Sequence, residues 1–108
     1  MGDRKMTPDE IRRKIQQVKK QRLTELDLSD CSLTEIPTEV FELKWLKTLI
    51  LNINQLTSVP ESITRLTNLS TLELSHNPLE EPPLKIAEKG INAIREYFRQ
   101  KQGGEDTL

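Results

Sequence analysis

The sequence has little of several residue types on which catalytic and metal-binding domains depend. It contains one cysteine, one histidine and four glycines among 108 residues. A single cysteine excludes an internal disulfide, and one histidine with one cysteine offers too few ligands at metal spacing. None of the glycines lies in the G-x-x-x-x-G-K-[ST] pattern of a phosphate-binding loop. We therefore expect a chain that is not an enzyme and holds no metal and no cofactor.

Apolar residues are also scarce, at 34% hydrophobic and 4% aromatic. A compact globule of this size ordinarily needs more large side chains, whereas a stack of repeats needs fewer because each unit packs only against its neighbours. No apolar run approaches the length of a membrane span, and the N-terminal residues lack the apolar core of a signal peptide. These absences favour a cytoplasmic protein.

Charge is distributed unevenly along a chain whose formal net charge is -1. Residues 1–22 hold eight Lys or Arg against three acids, and residues 23–83 hold three against ten. One interpretation is a basic arm that binds nucleic acid or acidic lipid. We favour the solvated face of an amphipathic helix, because no aromatic residues interleave the arm for base stacking. We therefore expect neither nucleic acid, membrane nor a small-molecule substrate among the partners.

Three segments of the sequence repeat one leucine pattern. They begin at Leu23, Leu46 and Leu69, so the period is 23 residues, and they read LTELDLSDCSLTEIP, LKTLILNINQLTSVP and LSTLELSHNPLEEPP. Each follows L-x-x-L-x-L-x-x-N/C-x-L without a gap. The L-x-L core alternates with period two, which predicts a short strand with its leucines inward. Stacked repeats would set these strands side by side in a parallel sheet.

The ninth position of each repeat lies where the chain leaves the strand, and it is occupied by Cys31, Asn54 and Asn77. An asparagine amide both donates and accepts, so it can satisfy backbone groups that the bend would otherwise bury unpaired. Cys31 makes only weak hydrogen bonds. The return limb is the part of each repeat that leads from one strand to the next. On it Val40, Ile63 and Ile86 occupy equivalent positions, one period apart.

The N-terminal end carries a helix signature. Thr7-Pro8-Asp9-Glu10 forms a capping box with proline at the first helical position. Ile11, Ile15 and Val18 follow at helical spacing. We predict an amphipathic helix over residues 8–20 that covers the first repeat.

The C-terminal end carries a second apolar stripe at steps of three and four, made by Leu84, Ala87, Ile91, Ile94 and Phe98. This stripe predicts a helix over the last repeat. Gly90 interrupts the helix and is a candidate break. The patterns divide the chain into an N-terminal tail (1–6), an N-terminal capping helix (7–22), three repeats (23–45, 46–68 and 69–83 onward), a C-terminal capping helix (84–102) and a linker (103–108).

The repeats resemble those of intracellular leucine-rich-repeat proteins over roughly residues 23–102. That resemblance implies an α/β fold, a right-handed β/α solenoid of about three 23-residue turns with a parallel sheet, capped by a helix at each end. The segment NPLEEPPLKIAEKGINAIREYFRQ, from Asn77 to Gln100, resembles the closing unit before the GTPase of bacterial Roco proteins. The resemblance implies the repeat region of a regulatory GTPase, with the GTPase domains of the same chain as candidate partners. The alternative is a free-standing adaptor or scaffold.

The repeat register predicts which side chains form an outward, protein-binding face. Its strand positions are Glu25, Asp27, Ser29, Thr48, Ile50, Asn52, Thr71, Glu73 and Ser75, and its rim positions are Asp30, Ile53 and His76. Ile50 and Ile53 are candidate anchors for a protein partner, with the neighbouring acids selecting basic groups. The alternative is that exposed isoleucine reflects β-propensity alone.

Two other positions have a structural and a functional interpretation. Trp45 is a candidate interface anchor, but we favour packing over the joint between repeats. Cys31 and His76 would serve as a nucleophile pair only if they met. They belong to different repeats, so we expect no catalytic site.

Overall fold

The computed structural model describes residues 6–106, with side chains from Met6 to Lys101. Residues 1–5 of the predicted tail and residues 107–108 of the predicted linker lie outside this range. The elements in chain order are α1 (Pro8–Gln21), β1 (Glu25–Asp27), a first 3-10 helix (Thr38–Glu42), β2 (Thr48–Ile50), a second 3-10 helix (Glu61–Arg65), β3 (Thr71–Glu73), α2 (Leu84–Ala87) and α3 (Ile91–Asp106).

The strands form one parallel sheet in the order β1-β2-β3. Residues one period apart pair across it, so that Leu26 faces Leu49 and Leu49 faces Leu72. The predicted parallel sheet and its 23-residue register are therefore confirmed, and the chain has an α/β repeat fold.

The core lies between the sheet and the 3-10 helices of the return limbs. The central strand leucines Leu26 and Leu49 have no exposed surface, and neither do Val40 and Ile63 opposite them. Burying one such side chain stabilises the fold by roughly 1.5–3 kcal/mol. At the third predicted return position Ile86 is only half-buried. There the chain has already entered α2, whose buried residue is Ala87.

Helix α1 begins at the predicted capping box. The Glu10 amide donates to Thr7 Oγ1 (3.2 Å), and the Thr7 amide donates to Glu10 Oε1 (2.8 Å). Ile11, Ile15 and Val18 turn inward and are buried. On its other side the Lys14 ammonium donates to the carbonyl of Asp27. The helix thus closes the first end of the core and is tied to β1.

The C-terminal capping helix predicted over 84–102 is divided in the structure at Gly90, the candidate break. Helix α2 ends at Ala87, and α3 begins at Ile91. Between them Gly90 has φ +103°, a backbone conformation that other residues rarely adopt. This backbone conformation redirects the chain, so that α3 packs an apolar face of its own on the third repeat, where Ile91, Ile94 and Phe98 are buried.

Helix α3 continues to Asp106, beyond the predicted end of the ordered part at Gln102. Its run through Gly103 and Gly104 shows that glycine does not stop a helix that is already nucleated, although each costs about 1 kcal/mol relative to alanine. The helix is held to the second and third repeats by Arg95, whose Nη2 donates to the carbonyls of Leu66 and Leu69. No helix within residues 6–106 has both the length and the apolar character needed to cross a membrane.

A buried asparagine joins the first and second repeats. Asn54 Oδ1 accepts from the amides of Cys31 (3.0 Å) and Leu33 (2.9 Å). Its Nδ2 donates to the carbonyls of Leu28 and Leu51, both at 3.0 Å. One side chain therefore satisfies backbone groups of two repeats that would otherwise be buried without partners.

Asn77 makes the same connection between the second and third repeats. Its Oδ1 accepts from the Leu56 amide (3.0 Å). Its Nδ2 donates to the carbonyls of Leu51 (2.9 Å) and Leu74 (3.1 Å). We call Asn54 and Asn77 the asparagine clamps.

Cys31 occupies the clamp position of the first repeat because no repeat precedes it. A carboxamide oxygen there would have no row of earlier amides to accept from. The thiol is buried instead, with its Sγ 3.7 Å from Met6 Sδ. A small apolar side chain suits a site that faces the capping helix.

We expect Asn54→Ala to lower the free energy of unfolding by at least about 2 kcal/mol, because it leaves buried amides without acceptors. Asn68→Ala is the matched control, since Asn68 is exposed and donates one bond, to the Lys44 carbonyl; its loss should stay below about 1 kcal/mol. Urea unfolding followed by the fluorescence of Trp45, the single tryptophan, measures both. Equal losses would contradict a clamping role.

Candidate functional site

The predicted outward positions lie side by side in the structure, and we call this surface the acidic face. Strand pairing places equivalent positions of β1, β2 and β3 next to one another. Seven of its twelve members are exposed and five are half-buried. The exposed members are Glu25, Thr71, Glu73, Ser75, Asp30, Ile53 and His76, and the half-buried ones are Asp27, Ser29, Thr48, Ile50 and Asn52.

The centre of the acidic face is a ladder of three side chains, Asp27, Ile50 and Glu73. The register pairs Asp27 with Ile50 and Ile50 with Glu73. Neighbouring strands lie about 5 Å apart, so an apolar side chain stands between two carboxylates. Ile50 is extended and half-buried in β2, and its strand propensity is therefore enough to account for it.

Asp27 is held in place by the turn that follows its strand. The Ser29 amide donates to Asp27 Oδ1 at 2.9 Å. Partial burial opposes ionisation, but the hydrogen bonds from the Ser29 amide and hydroxyl and the charge of Lys14 outweigh it, so the pKa of Asp27 lies below its ordinary value. The first rung of the ladder is therefore negatively charged at neutral pH.

Asn52 orients the third rung of the ladder. Its Nδ2 donates to Glu73 Oε1 (2.9 Å), and its Oδ1 accepts from the Ser75 amide (2.9 Å). The Glu73 carboxylate is thereby held over the face instead of extending freely into solvent. The register identifies Asn52 as an outward residue, but its bridge to the next repeat depends on side-chain geometry that a periodic pattern does not contain.

The rim positions share one backbone conformation. Asp30, Ile53 and His76 have φ of 54°, 58° and 61°, in the left-handed region. Aspartate and histidine are comparatively frequent there, whereas a β-branched residue is an outlier. Holding Ile53 in this region costs roughly 1–2 kcal/mol. The same side chain is 53% exposed, more than any other large apolar residue that the structure describes.

Ile53 is therefore not explained by folding. It lies outside β2, so β-propensity does not account for it, and its burial contributes little. A strained and exposed apolar side chain beside ionised carboxylates has the properties of an interface anchor. The sequence identifies Ile53 as an outward residue, but only the backbone shows the strain.

Trp45 does not belong to the acidic face. Its Nε1 donates to the Leu23 carbonyl (2.9 Å), and the Arg22 guanidinium lies 4.3 Å from the ring centroid. These contacts pack the indole over the joint between the first and second repeats, as the favoured interpretation of the sequence predicts.

Cys31 and His76 have unlike surroundings. Cys31 is buried in the first repeat, and burial raises the pKa of its thiol. His76 is exposed on the rim of the third repeat. A protonated, buried thiol is a poor nucleophile, and the histidine belongs to a different repeat, as the sequence predicts.

Several basic side chains of the N-terminal region contact groups of this chain. Besides the bonds of Lys14 and Arg22, Lys19 Nζ lies 3.3 Å from Glu42 Oε1 and Arg12 Nη1 lies 3.6 Å from Asp9 Oδ1. These contacts fit the interpretation of the basic arm as the polar face of a capping helix.

We expect Ile53→Asn to raise the free energy of unfolding by about 1 kcal/mol, because asparagine tolerates the left-handed region. Ile50→Asn is the matched control. It places the same residue at an extended, half-buried position and should destabilise the protein. Urea unfolding of both variants checks this, and a loss of stability in Ile53→Asn equal to that of Ile50→Asn would contradict the strain.

The family comparison agrees with the geometry of the repeats. A family model described as leucine rich repeat matches residues 21–79, more than half of the chain. The matched segment contains all three strands and every member of the acidic face. The chain matches no curated protein. The chain belongs to the leucine-rich-repeat family.

Proposed function

We propose that this chain is a non-catalytic protein-binding module that holds its partner on the acidic face. Leucine-rich-repeat domains generally mediate protein interactions, and three stacked turns of a short right-handed solenoid would display the face as one surface. The observation that carries the proposal is Ile53, which is 53% exposed and held in a strained conformation.

The chemistry of the face defines the partner. Glu25, Asp30 and Glu73 are exposed, and Asp27 is ionised beside them. A protein surface with an apolar side chain flanked by lysine or arginine complements this arrangement. The apolar contact at Ile53 supplies affinity, and the carboxylates steer and select the basic partner.

The module is, in this proposal, the N-terminal repeat region of a cytoplasmic Roco-type regulatory GTPase. The support is the resemblance of the segment from Asn77 to Gln100 to the closing unit before such a GTPase. The GTPase domains of the same polypeptide then become candidate partners of the acidic face. The coding sequence beyond Leu108 tests this. A phosphate-binding loop within the next few tens of residues supports it, whereas a stop codon contradicts it and favours the free-standing adaptor.

Ile53→Asn tests the binding role of the face with little risk of unfolding, since we expect the substitution to stabilise the protein. Wild-type and variant proteins are immobilised, and captured proteins are identified by mass spectrometry. The affinity of the partner, once purified, should fall by about tenfold or more, as expected for an interface anchor. A triple variant, Asp27→Lys with Ile50→Glu and Glu73→Lys, should abolish capture.

Leu23→Asn is the control for loss of an exposed apolar side chain, because Leu23 is 39% exposed and lies outside the acidic face. It should leave capture unchanged. A partner that binds wild type and Ile53→Asn equally well, and also binds the triple variant, would move the binding site to another surface.

A further inference from the structure

Backbone amides connect each repeat to the next in a regular ladder. Amides of the first repeat donate to carbonyls of the second repeat, and amides of the second repeat donate to carbonyls of the third. The bonds run from Leu28 to Ile50 (2.8 Å), Asp30 to Asn52 (3.0 Å), Leu51 to Glu73 (2.8 Å) and Ile53 to Ser75 (2.9 Å). The next amides in the row, those of Leu33 and Leu56, donate instead to the side-chain oxygens of the asparagine clamps. Every repeat thus directs a row of donors toward its successor.

The third repeat has the same donors, and no further strand follows it within residues 6–106. Its equivalent amides are those of Leu74, His76 and Leu79. Within residues 6–106 none of these three amides donates a hydrogen bond to another group of the chain. Leu74 and His76 are two residues apart, so their donors lie on one edge at the spacing of alternate strand residues.

The closing helices cover the apolar side chains of the third repeat without serving these donors. Arg95 on α3 reaches the carbonyls of Leu66 and Leu69, which precede β3. Between β3 and α2 there remains a cavity of about 230 Å³. Its apolar lining is Leu72, Leu74, Leu84 and Ala87, and its polar lining is Asn52, Glu73, Ser75 and Glu88.

We propose that this edge, which borders the cavity, binds an extended basic peptide segment as a fourth strand. Its carbonyls, two residues apart, accept from the amides of Leu74 and His76 in the way that Glu73 and Ser75 accept from the second repeat. One of its apolar side chains enters the cavity beside α2. Lysine or arginine on either side pairs with Glu73 and Glu88.

Charge favours a basic peptide over a second copy of this chain. Symmetric pairing of two β3 edges would bring the carboxylates of Glu73 and Glu88 in one copy toward those of the other, and like charges opposite one another destabilise a sheet. An extended segment with alternating basic and apolar residues avoids this repulsion. The site shares Glu73 with the acidic face but is separate from the proposed anchor at Ile53, since its backbone contacts lie on the strand edge at Leu74 and His76.

The test is a nitrogen-15 NMR titration of the full chain with the peptide acetyl-Lys-Val-Arg-Val-Lys-amide at up to about 1 mM, a range suited to weak binding. We expect chemical-shift changes at the amides of Leu74, His76 and Leu79. Hydrogen exchange should slow at the amides of Leu74 and His76, from which the peptide carbonyls accept. The peptide acetyl-Glu-Val-Glu-Val-Glu-amide should produce neither. Glu73→Gln with Glu88→Gln should weaken binding about fivefold, as for two exposed ion pairs. The control pair Glu35→Gln with Glu39→Gln, in the first repeat and outside the acidic face, should leave binding unchanged.

Three outcomes would overturn the proposal. The first is that the basic peptide does not slow hydrogen exchange at the edge amides. The second is that the chemical-shift changes centre on Ile50 to Ile53 instead of Leu74 to Leu79. The third is that raising the protein concentration without peptide gives the same shifts, which would indicate a second copy. Ile53→Asn should retain the peptide effect. A failure of the acidic face as a binding site is therefore distinguishable from a failure of the edge.

Discussion

Buried asparagine carboxamides join the second repeat of this chain to the first and the third to the second, and the rest of the structure depends on these connections. Asn54 and Asn77 each accept from amides of the preceding repeat while donating to carbonyls of both repeats. Because the clamps hold the strands in one register, equivalent outward residues become neighbours. The chain bends just before each clamp, where Ile53 and His76 adopt left-handed conformations, and Asp30 adopts the same conformation before Cys31.

Further hydrogen bonds, separate from the clamps, hold side chains of the acidic face in place. Asn52 holds Glu73 and the Ser75 amide, and Ser29 holds Asp27. Groups fixed in position lose less conformational entropy on binding than mobile ones do. The face therefore pairs fixed carboxylates with one apolar side chain, Ile53, that folding alone would not place there. Within residues 6–106 the amides of Leu74 and His76 donate to no other group of the chain, because α2 and not a further strand follows the third repeat.

The parallel sheet could be predicted from the sequence because strand period and repeat period are both properties of residue spacing. The capping box at Thr7 likewise predicts the start of α1. The sequence predicts the break at Gly90 only as a candidate, because the apolar spacing continues across this residue. What separates α2 from α3 is the positive φ of Gly90. Outward positions follow from register, but the strain at Ile53 and the bridge from Asn52 depend on dihedral angles and side-chain contacts. The helical run to Asp106 opposes the local propensity of its glycines.

The most direct test of the central claim, that the clamped register builds the binding surface, is an NMR map of the nitrogen-15-labelled chain with its purified partner. The account predicts that the amides of residues 27–30, 50–53 and 73–76 shift together, because the register makes them one surface. Shifts concentrated instead on the 3-10 helices, around Val40 and Ile63, would contradict it.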